Sequence, residues 1–164
     1  MLRARVQQPD AVDTTGDVLN DVVVTKAALS RIIELDVAVD GLFVSAFRAD
    51  GLIVSSPTGS TAYNLAAGGP ILHSRLPAMV LTPICPHMLT NRPLVISDEA
   101  TVELRLRHAQ EGDAHLTLDG QRGFPLFPRD SVRVTRSPRC VRLVKAPGRD
   151  YYEVLRTKLK WGER

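Results

Sequence analysis

The chain has 164 residues, 44% of them apolar, and its 21 Lys and Arg against 18 Asp and Glu give a net charge of +3. A chain of this length and composition forms one compact domain whose core needs neither disulfides nor metal ions. The basic residues are scattered and form no stripe interleaved with aromatic side chains, which argues against a nucleic-acid-binding protein.

Cysteine usage and hydropathy indicate the compartment. Cys85 and Cys140 lie far apart and in no C-x-x-C spacing. They therefore predict neither a zinc site nor a disulfide framework, and they fit a reducing compartment. The apolar runs are too short to span a bilayer, and no export signal opens the chain. We expect a cytoplasmic protein with no membrane partner.

Short strands and turns dominate the first third of the chain. Residues 1–17 are polar and weakly patterned, and they look like the interior of a longer protein. A strand is predicted near 18–24. Asp-Gly pairs at 40–41 and 50–51 are turn signals between apolar, β-branched runs, so residues 37–56 predict two or three antiparallel strands.

Residues 58–68 interrupt the strand pattern. The small polar stretch T-G-S-T is followed by A-Y-N-L-A-A and a Gly-Gly pair, which predicts an N-capped helix of about three turns. Free N–H groups at its start would favour an anion, with Thr58 and Thr61 supplying hydroxyls. The residue pattern alone favours the simpler interpretation, in which Thr58 and Ser60 only cap the helix.

The second half of the chain predicts more strands and one further helix. Residues 101–107 alternate apolar and charged side chains with period two, as in a strand with one buried face. Further strands are predicted at 78–84, 93–97, 115–119, 131–135 and 139–145. Tyr151, Val154 and Leu155 recur at helical spacing, which predicts a helix over 150–161. The predicted fold class is mainly β: a β-sandwich-like domain with one short inserted helix and a C-terminal helix.

The stretch from Asp50 to Tyr63 resembles the signature of the NAD kinase family, D-G-x-x-x-S-x-P-x-G-S-T-A-Y, which lines an NAD pocket. Other segments similar to that family follow the same order and cover nearly the whole chain: N-D-V-V-V at 20–24, T-P-I-C-P-H at 82–87, N-R-P at 91–93, L-D-G-Q at 118–121, and Y-Y-E-V-L-R-T-K-L-K-W at 151–161. The long signature is specific, so the resemblance implies that this is the family's C-terminal, NAD-binding domain.

The resemblance implies an adenosine subsite built from two motifs. Asn20 and Asp21 match the family's Asn-Glu pair, which holds the adenosine ribose; here Asp replaces Glu and is shorter by one methylene. The residues alone would indicate only a turn before a strand. The stretch that wraps the adenine matches Thr61, Ala62, Tyr63, Asn64, Leu65 and Ala66. Ala66 stands where serine is common in the family, so one hydroxyl contact is missing.

Five further positions match ligand contacts of the family. Arg31 and Arg48 fall at positions that are often basic, although each could equally be an exposed surface charge. Asp50 matches a carboxylate that contacts the nicotinamide side, often across a subunit interface; its simpler interpretation is a turn residue. Cys85 falls where relatives have alanine and a backbone contact, and we interpret it as a packing residue. Gln121 matches a polar ligand contact.

We predict no metal site in this chain. The four histidines have no metal-ligand spacing and are interpreted as structural or surface residues: His73, His87, His108 and His115. The family's Gly-Gly-Asp-Gly-Thr motif, which carries the catalytic aspartate in an N-terminal α/β domain, does not occur in the sequence. We therefore expect no catalytic residue in this chain, because phosphoryl transfer depends on positioning and charge neutralisation.

The implied organisation has three parts: residues 1–17 as a residual linker from a missing N-terminal domain, 18–148 as the NAD-binding sandwich, and 149–164 as a helical tail. The complete enzyme would phosphorylate the adenosine ribose 2′-hydroxyl of NAD to give NADP. ATP or polyphosphate with Mg²⁺ would be the donor, with no permanently bound cofactor. The chain alone would bind NAD without catalysis, as part of a homodimer or homotetramer.

Two other hypotheses stay open. The first is a stand-alone NAD- or adenylate-binding module without chemistry, and the second is a relative of the lipid kinases that share the two-domain plan. The tail allows one more expectation. In the family it packs on the N-terminal domain, so in this chain we expect it to be mobile or docked on a neighbouring subunit.

Overall fold

The computed structural model describes the chain except residues 10, 11, 28–31, 108, 109, 111, 145–147, 149, 163 and 164. Arg31 and His108, two residues singled out in the sequence, therefore lie outside the described residues. Within the described ranges, neither helix has the length and apolar character needed to cross a lipid bilayer.

Two six-stranded sheets form the domain, and every strand pair in both sheets is antiparallel. The first sheet has the order β2-β1-β12-β9-β4-β5 and the second β11-β10-β3-β6-β7-β8. The strands are β1 (Leu2–Gln7), β2 (Thr14–Val18), β3 (Asp21–Lys26), β4 (Ile33–Val39), β5 (Leu42–Ala49), β6 (Gly51–Ser55), β7 (Ala78–Ile84), β8 (Leu94–Ser97), β9 (Val102–Arg107), β10 (Ala114–Leu118), β11 (Arg122–Leu126) and β12 (Ser131–Arg136). The mainly β, sandwich-like prediction is confirmed.

Period-two alternation directs one face of each sheet into a shared core. Val22 and Val24 of β3 are buried in that core together with Leu35 of β4 and Leu104 of β9, which come from the other sheet. Val23, between the two core valines, points to the opposite face of its sheet and is also buried. The second sheet is therefore covered on both faces at its central strand β3.

The cover on the outer face of the second sheet is the segment 57–72. It contains a 3₁₀ turn, Gly59–Thr61, and a single helical turn, α1 (Tyr63–Ala66). The prediction of a three-turn helix over 58–68 is wrong, because the small polar residues bond the local backbone instead. The Ser60 hydroxyl donates to the Pro57 carbonyl at 2.7 Å, and it accepts from the Leu72 amide at 2.9 Å.

Two further sequence predictions need correction. Residues 1–17 are not a linker, because β1 and β2 belong to the first sheet and β1 pairs with both β2 and β12. Leu2, Ala4 and Val6 alternate with Arg3 and Arg5 and are buried, a period-two pattern that the sequence interpretation missed. The strand predicted at 139–145 is also absent from its described part, since residues 139–144 have no regular secondary structure and are exposed.

The C-terminal helix α2 (Tyr151–Leu159) packs on its own domain. Asp150 caps it by accepting a hydrogen bond from the Glu153 amide at 2.7 Å. The Tyr151 hydroxyl donates to the Leu72 carbonyl at 3.2 Å, and Lys158 Nζ donates to the Thr61 carbonyl at 3.0 Å. The helix thus contacts the covering segment of its own chain at Leu72 and Thr61. The expectation of a mobile or intermolecularly docked tail stays a prediction.

A pair of neighbouring substitutions tests this packing. Leu155 is only 5% exposed, whereas Val154 is 48% exposed on the same helix. We expect Leu155→Ala to lower the free energy of unfolding by about 2–3 kcal/mol, because it removes buried methyl groups. The control Val154→Ala should stay within about 0.5 kcal/mol. Urea unfolding of the monomer measures both, and equal effects would contradict the packing of α2 on this domain.

Candidate functional site

A cavity of about 280 Å³ opens on the outer face of the second sheet, between β3, β10 and the covering segment. Its lining residues are Asn20, Asp21, Val23, Thr25, Ala62, Tyr63, Thr117, Asp119 and Gly120. Alternation explains the wall from β3: Val22 and Val24 point into the core, so Asp21, Val23 and Thr25 point outward. Thr117 of β10 lies opposite Val23 in the register and extends the same wall.

Asp119 organises the loop that carries Asn20 and Asp21. Its carboxylate accepts three backbone hydrogen bonds, from the amides of Leu19 at 2.8 Å, Asn20 at 2.7 Å and Asp21 at 3.1 Å. The Asp119 amide in turn donates to the Asp21 carbonyl at 3.1 Å. Asp119 has a φ of 51°, in the left-handed region, where Asp is better tolerated than most residues because it can bond nearby backbone.

Ser56, which directly precedes the covering segment, and Gly59 within that segment hold the same loop from the other side. The Ser56 hydroxyl donates to the Leu19 carbonyl at 2.6 Å, and the Ser56 amide donates to the Asn20 carbonyl at 2.8 Å. A Cβ at Gly59 would collide with the backbone of Asn20, so only glycine allows this close approach. The serine and glycine of the long signature therefore join the two predicted ligand motifs.

Asn64 is fully buried and shapes the covering segment from within. Its Nδ2 donates to the carbonyls of Ser60 at 3.0 Å and Pro70 at 3.1 Å, and its Oδ1 accepts from the Thr82 hydroxyl at 2.6 Å. Both amide hydrogens and the oxygen are thus used inside the protein. Asn64 supports the cavity wall and does not line it.

Asp21 is the buried charge of the cavity. It is 4% exposed, and among the described residues none donates a hydrogen bond to its carboxylate. Burial and the nearby negative charge of Asp119 raise its pKa to about 6. Tyr63, on the opposite wall, is 45% exposed and leaves part of its ring free for a ligand. The cavity therefore combines an unpaired carboxylate with an aromatic face.

Arg48, Asp50 and Cys85 form a second group away from the cavity. The Asp50 amide donates to the Ile84 carbonyl at 2.9 Å, and the His87 amide donates to the Arg48 carbonyl at 2.9 Å. Cys85 is exposed, with a φ of 45°. Asp50 adjoins the last residue of β3, whereas Asp21 is the first, so the strand rise separates the backbones of the two residues by roughly 16 Å.

The other predicted site residues are not among those that line the cavity, or they lie outside the described residues. The Thr61 hydroxyl accepts from Lys158 Nζ at 3.3 Å, Leu65 is half-buried, and Ala66 and Gln121 are exposed. Among the described residues, no group of three or more His, Cys, Asp or Glu is close enough to hold a metal ion.

Five residues that line the cavity were not predicted from the sequence: Val23, Thr25, Thr117, Asp119 and Gly120. Alternation along β3 and β10 could have indicated the first three.

Comparison with known proteins identifies the family. Residues 19–146 match the ATP-NAD kinase C-terminal domain. The chain belongs to the NAD kinase family. It is 53% identical over its full length to an NAD kinase of Geotalea daltonii and 52% identical to one of Citrifermentans bemidjiense, and it spans 57% of the length of each. This NAD kinase C-terminal domain therefore covers little more than half of those relatives.

Solved structures support the same assignment. The domain aligns with a yeast NADH kinase in complex with NADH, with a TM-score of 0.73 and 30% identity over 82% of this chain and 39% of that one. It also aligns with an NAD kinase of Archaeoglobus fulgidus in complex with ATP, with a TM-score of 0.67 and 29% identity. The alignment covers 82% of this chain and 51% of the archaeal one. The sandwich described above is thus the C-terminal domain fold of the family.

The raised pKa of Asp21 predicts how stability depends on pH. Its folded-state value of about 6 exceeds the ordinary 3.8, so the folded protein holds the proton more tightly. Stability should fall as pH rises from about 4 to about 6 and then level off. Asp21→Asn removes this cost and should stabilise the protein at pH 7.5 by roughly 2–3 kcal/mol, but not at pH 3.5.

Urea unfolding at several pH values measures the effect. The control Glu99→Gln removes one exposed negative charge in a turn and should retain the wild-type slope between pH 4 and 6. An Asp21→Asn variant whose stability differs from wild type by the same amount at every pH would contradict the assignment.

Proposed function

We propose that this domain supplies the NAD-binding part of an enzyme that phosphorylates the adenosine ribose 2′-hydroxyl of NAD to give NADP. The observation that carries the proposal is that the Asn20-Asp21 motif and Ala62 and Tyr63 of the long signature line the same cavity. These motifs lie about forty residues apart in the chain. Their convergence on one concave surface is what a nucleoside site requires.

The chemistry of the cavity fits an adenosine group. Above its pKa of about 6, Asp21 carries a carboxylate that can accept hydrogen bonds from ribose hydroxyls, and no described protein donor competes for it. The partly exposed ring of Tyr63 can stack on a purine. A volume of about 280 Å³ is at the small end of ligand pockets, which suits one nucleoside and not a whole dinucleotide.

We assign no catalytic residue to the 164-residue chain. The proposed reaction requires a phosphoryl donor, ATP or polyphosphate with Mg²⁺, held in line with the acceptor hydroxyl. In the proposal a Gly-Gly-Asp-Gly-Thr motif of an N-terminal domain supplies the catalytic aspartate and helps to seat the donor. The role of the present chain is to orient the ribose, and alone it binds NAD without transferring phosphate.

The nicotinamide end is proposed to reach a second copy of the chain. Asp50 and Cys85 lie roughly 16 Å along β3 from Asp21, outside the cavity of their own chain. The edge strands β5 and β8 leave large apolar side chains exposed: Leu42, Phe43, Val44, Leu94 and Val95. Exposed apolar edges are typical of surfaces that pair with another subunit. We therefore propose a homodimer or homotetramer whose NAD sites combine residues of two subunits.

The proposed compartment is the cytoplasm. Cys85 and Cys140 are both exposed and unpaired. Free thiols persist where glutathione and thioredoxin keep them reduced, so their state fits the cell interior.

Substitution of Tyr63 tests the adenosine subsite. Tyr63→Ala should weaken NAD binding by roughly 1–3 kcal/mol, the range for a lost base-stacking contact. Tyr63→Phe keeps the ring and is the matched control, with affinity close to wild type. Calorimetry with NAD, and with UMP as a non-specific nucleotide, measures the difference. A large loss of stability with unchanged affinity would instead make Tyr63 a packing residue, and wild type that prefers NAD no more than UMP would refute the proposed function.

Mixing two defective variants tests the shared site. Tyr63→Ala and Asp50→Ala should each bind NAD weakly as homo-oligomers. If the nicotinamide end reaches the partner, mixed oligomers contain some sites with both side chains intact, and high-affinity NAD binding should return after subunit exchange. If Asp50 acts on the cavity of its own chain, every mixed site stays defective. Binding titrations before and after exchange, with labelled subunits to confirm mixing, separate the two outcomes.

A further inference from the structure

The backbone of residues 19–21 has no unsatisfied polar group. Its three amides all donate to the Asp119 carboxylate. The Leu19 carbonyl accepts from the Ser56 hydroxyl, the Asn20 carbonyl from the Ser56 amide, and the Asp21 carbonyl from the Asp119 amide. The loop is thus held between two segments remote in sequence, and the side chains of Asn20 and Asp21 are left to face the cavity.

The bonding pattern requires a carboxylate at position 119. Oδ2 accepts from the Leu19 amide, while Oδ1 accepts from the amides of Asn20 and Asp21. An asparagine has a single acceptor oxygen, so its NH₂ group would face one of these N–H donors. Hydrogen bonds to an ionised acceptor are about twice as strong as neutral ones, and here three of them act on one short loop.

Asp119 also acts on the cavity through its charge. The titratable groups that line the cavity, among the described residues, are Asp21, Asp119 and Tyr63. The negative charge of Asp119 is one of the two causes that raise the pKa of Asp21, after burial. Removing that charge should move the pKa of Asp21 down towards its ordinary value. The same residue therefore influences both the position and the ionisation of the carboxylate that faces the ligand.

We propose that Asp119 is a positioning residue for NAD: it fixes residues 19–21 in the conformation that presents Asn20 and Asp21 to the adenosine ribose. The inference rests on the proposed function, since it assumes that the cavity binds NAD. It assigns Asp119 no direct part in phosphoryl transfer. Its effect is expected on the affinity for NAD and on the pH dependence of that affinity.

The test measures NAD binding by calorimetry from pH 5 to pH 8 for wild type and Asp119→Asn. We expect wild-type affinity to fall as pH drops through about 6, as Asp21 takes up a proton. Asp119→Asn should bind NAD roughly tenfold more weakly or worse at pH 7.5, as expected for a lost hydrogen bond to a charged group. The midpoint of its pH profile should move to lower pH, a shift that a purely structural role would not produce.

Asp130→Asn is the matched control. Asp130 is buried and its carboxylate accepts from the Phe127 amide at 3.0 Å and from Gln8 at 3.3 Å, in a turn that takes no part in the cavity. Its substitution should lower stability but leave both the affinity for NAD and the pH midpoint unchanged. A comparable loss of affinity in this control would show that general destabilisation explains the Asp119 result.

Two outcomes separate the inference from the proposed function. If wild type does not bind NAD, the proposed function itself fails. If wild type binds but Asp119→Asn has the same affinity and the same pH midpoint, the positioning role is overturned. Should that variant not fold, amide hydrogen exchange of wild type decides the matter. Residues 19–21 must be protected without NAD, and rapid exchange there would overturn the proposal.

Discussion

Strand β3 must be covered on both of its faces, and the other parts of the structure that form the site depend on this requirement. Val22 and Val24 pack between the sheets, whereas Val23 and its neighbour Ile53 on β6 are buried on the outer face. A sheet with two apolar faces needs a second layer to exclude water. The covering segment 57–72 provides that layer, and the cavity is the space left where the cover meets the start of β3.

The cover is held by buried polar bonds and not by a regular helix. Asn64 joins Ser60, Pro70 and Thr82 through three hydrogen bonds, and the Ser60 hydroxyl joins both ends of the segment. Fully satisfied buried networks of this kind specify one conformation, because any broken bond leaves a desolvated polar group. Helix α2 then contacts the cover through Tyr151 and Lys158. The position of Tyr63 beside the cavity thus depends on residues that do not line it.

The chemistry of the site depends on two carboxylates, Asp119 and Asp21, that lie in different surroundings. Asp119 has three amide donors, so its charge is compensated by the loop that it holds. Asp21 is buried, and no described residue donates a hydrogen bond to its carboxylate. Its burial and the negative charge of Asp119 raise its pKa to about 6. A buried carboxylate without a partner costs stability, and such costs are typical of residues kept for a ligand. The same constraint that covers β3 therefore also produces a carboxylate that is available to hydrogen-bond the ribose in the proposed function.

Local pattern and motif similarity determined much of this protein from the sequence alone. Alternation predicted the strands at 101–107 and 131–135, and the segment 50–63 predicted the family, because such signals depend on neighbours in the chain. Apolar and charged residues also alternate in the strand at Leu2–Gln7, but residues 1–17 were interpreted as a linker. Only the tertiary structure decided that Asn64 is internal, that Asp119 holds residues 19–21, and that Asp50 lies apart from Asp21. Those facts depend on which polar groups meet in the folded chain, and some of these groups lie about a hundred residues apart in the sequence. Hydrogen bonds between such distant residues leave no periodic pattern in a single sequence, so the sequence alone could not predict them.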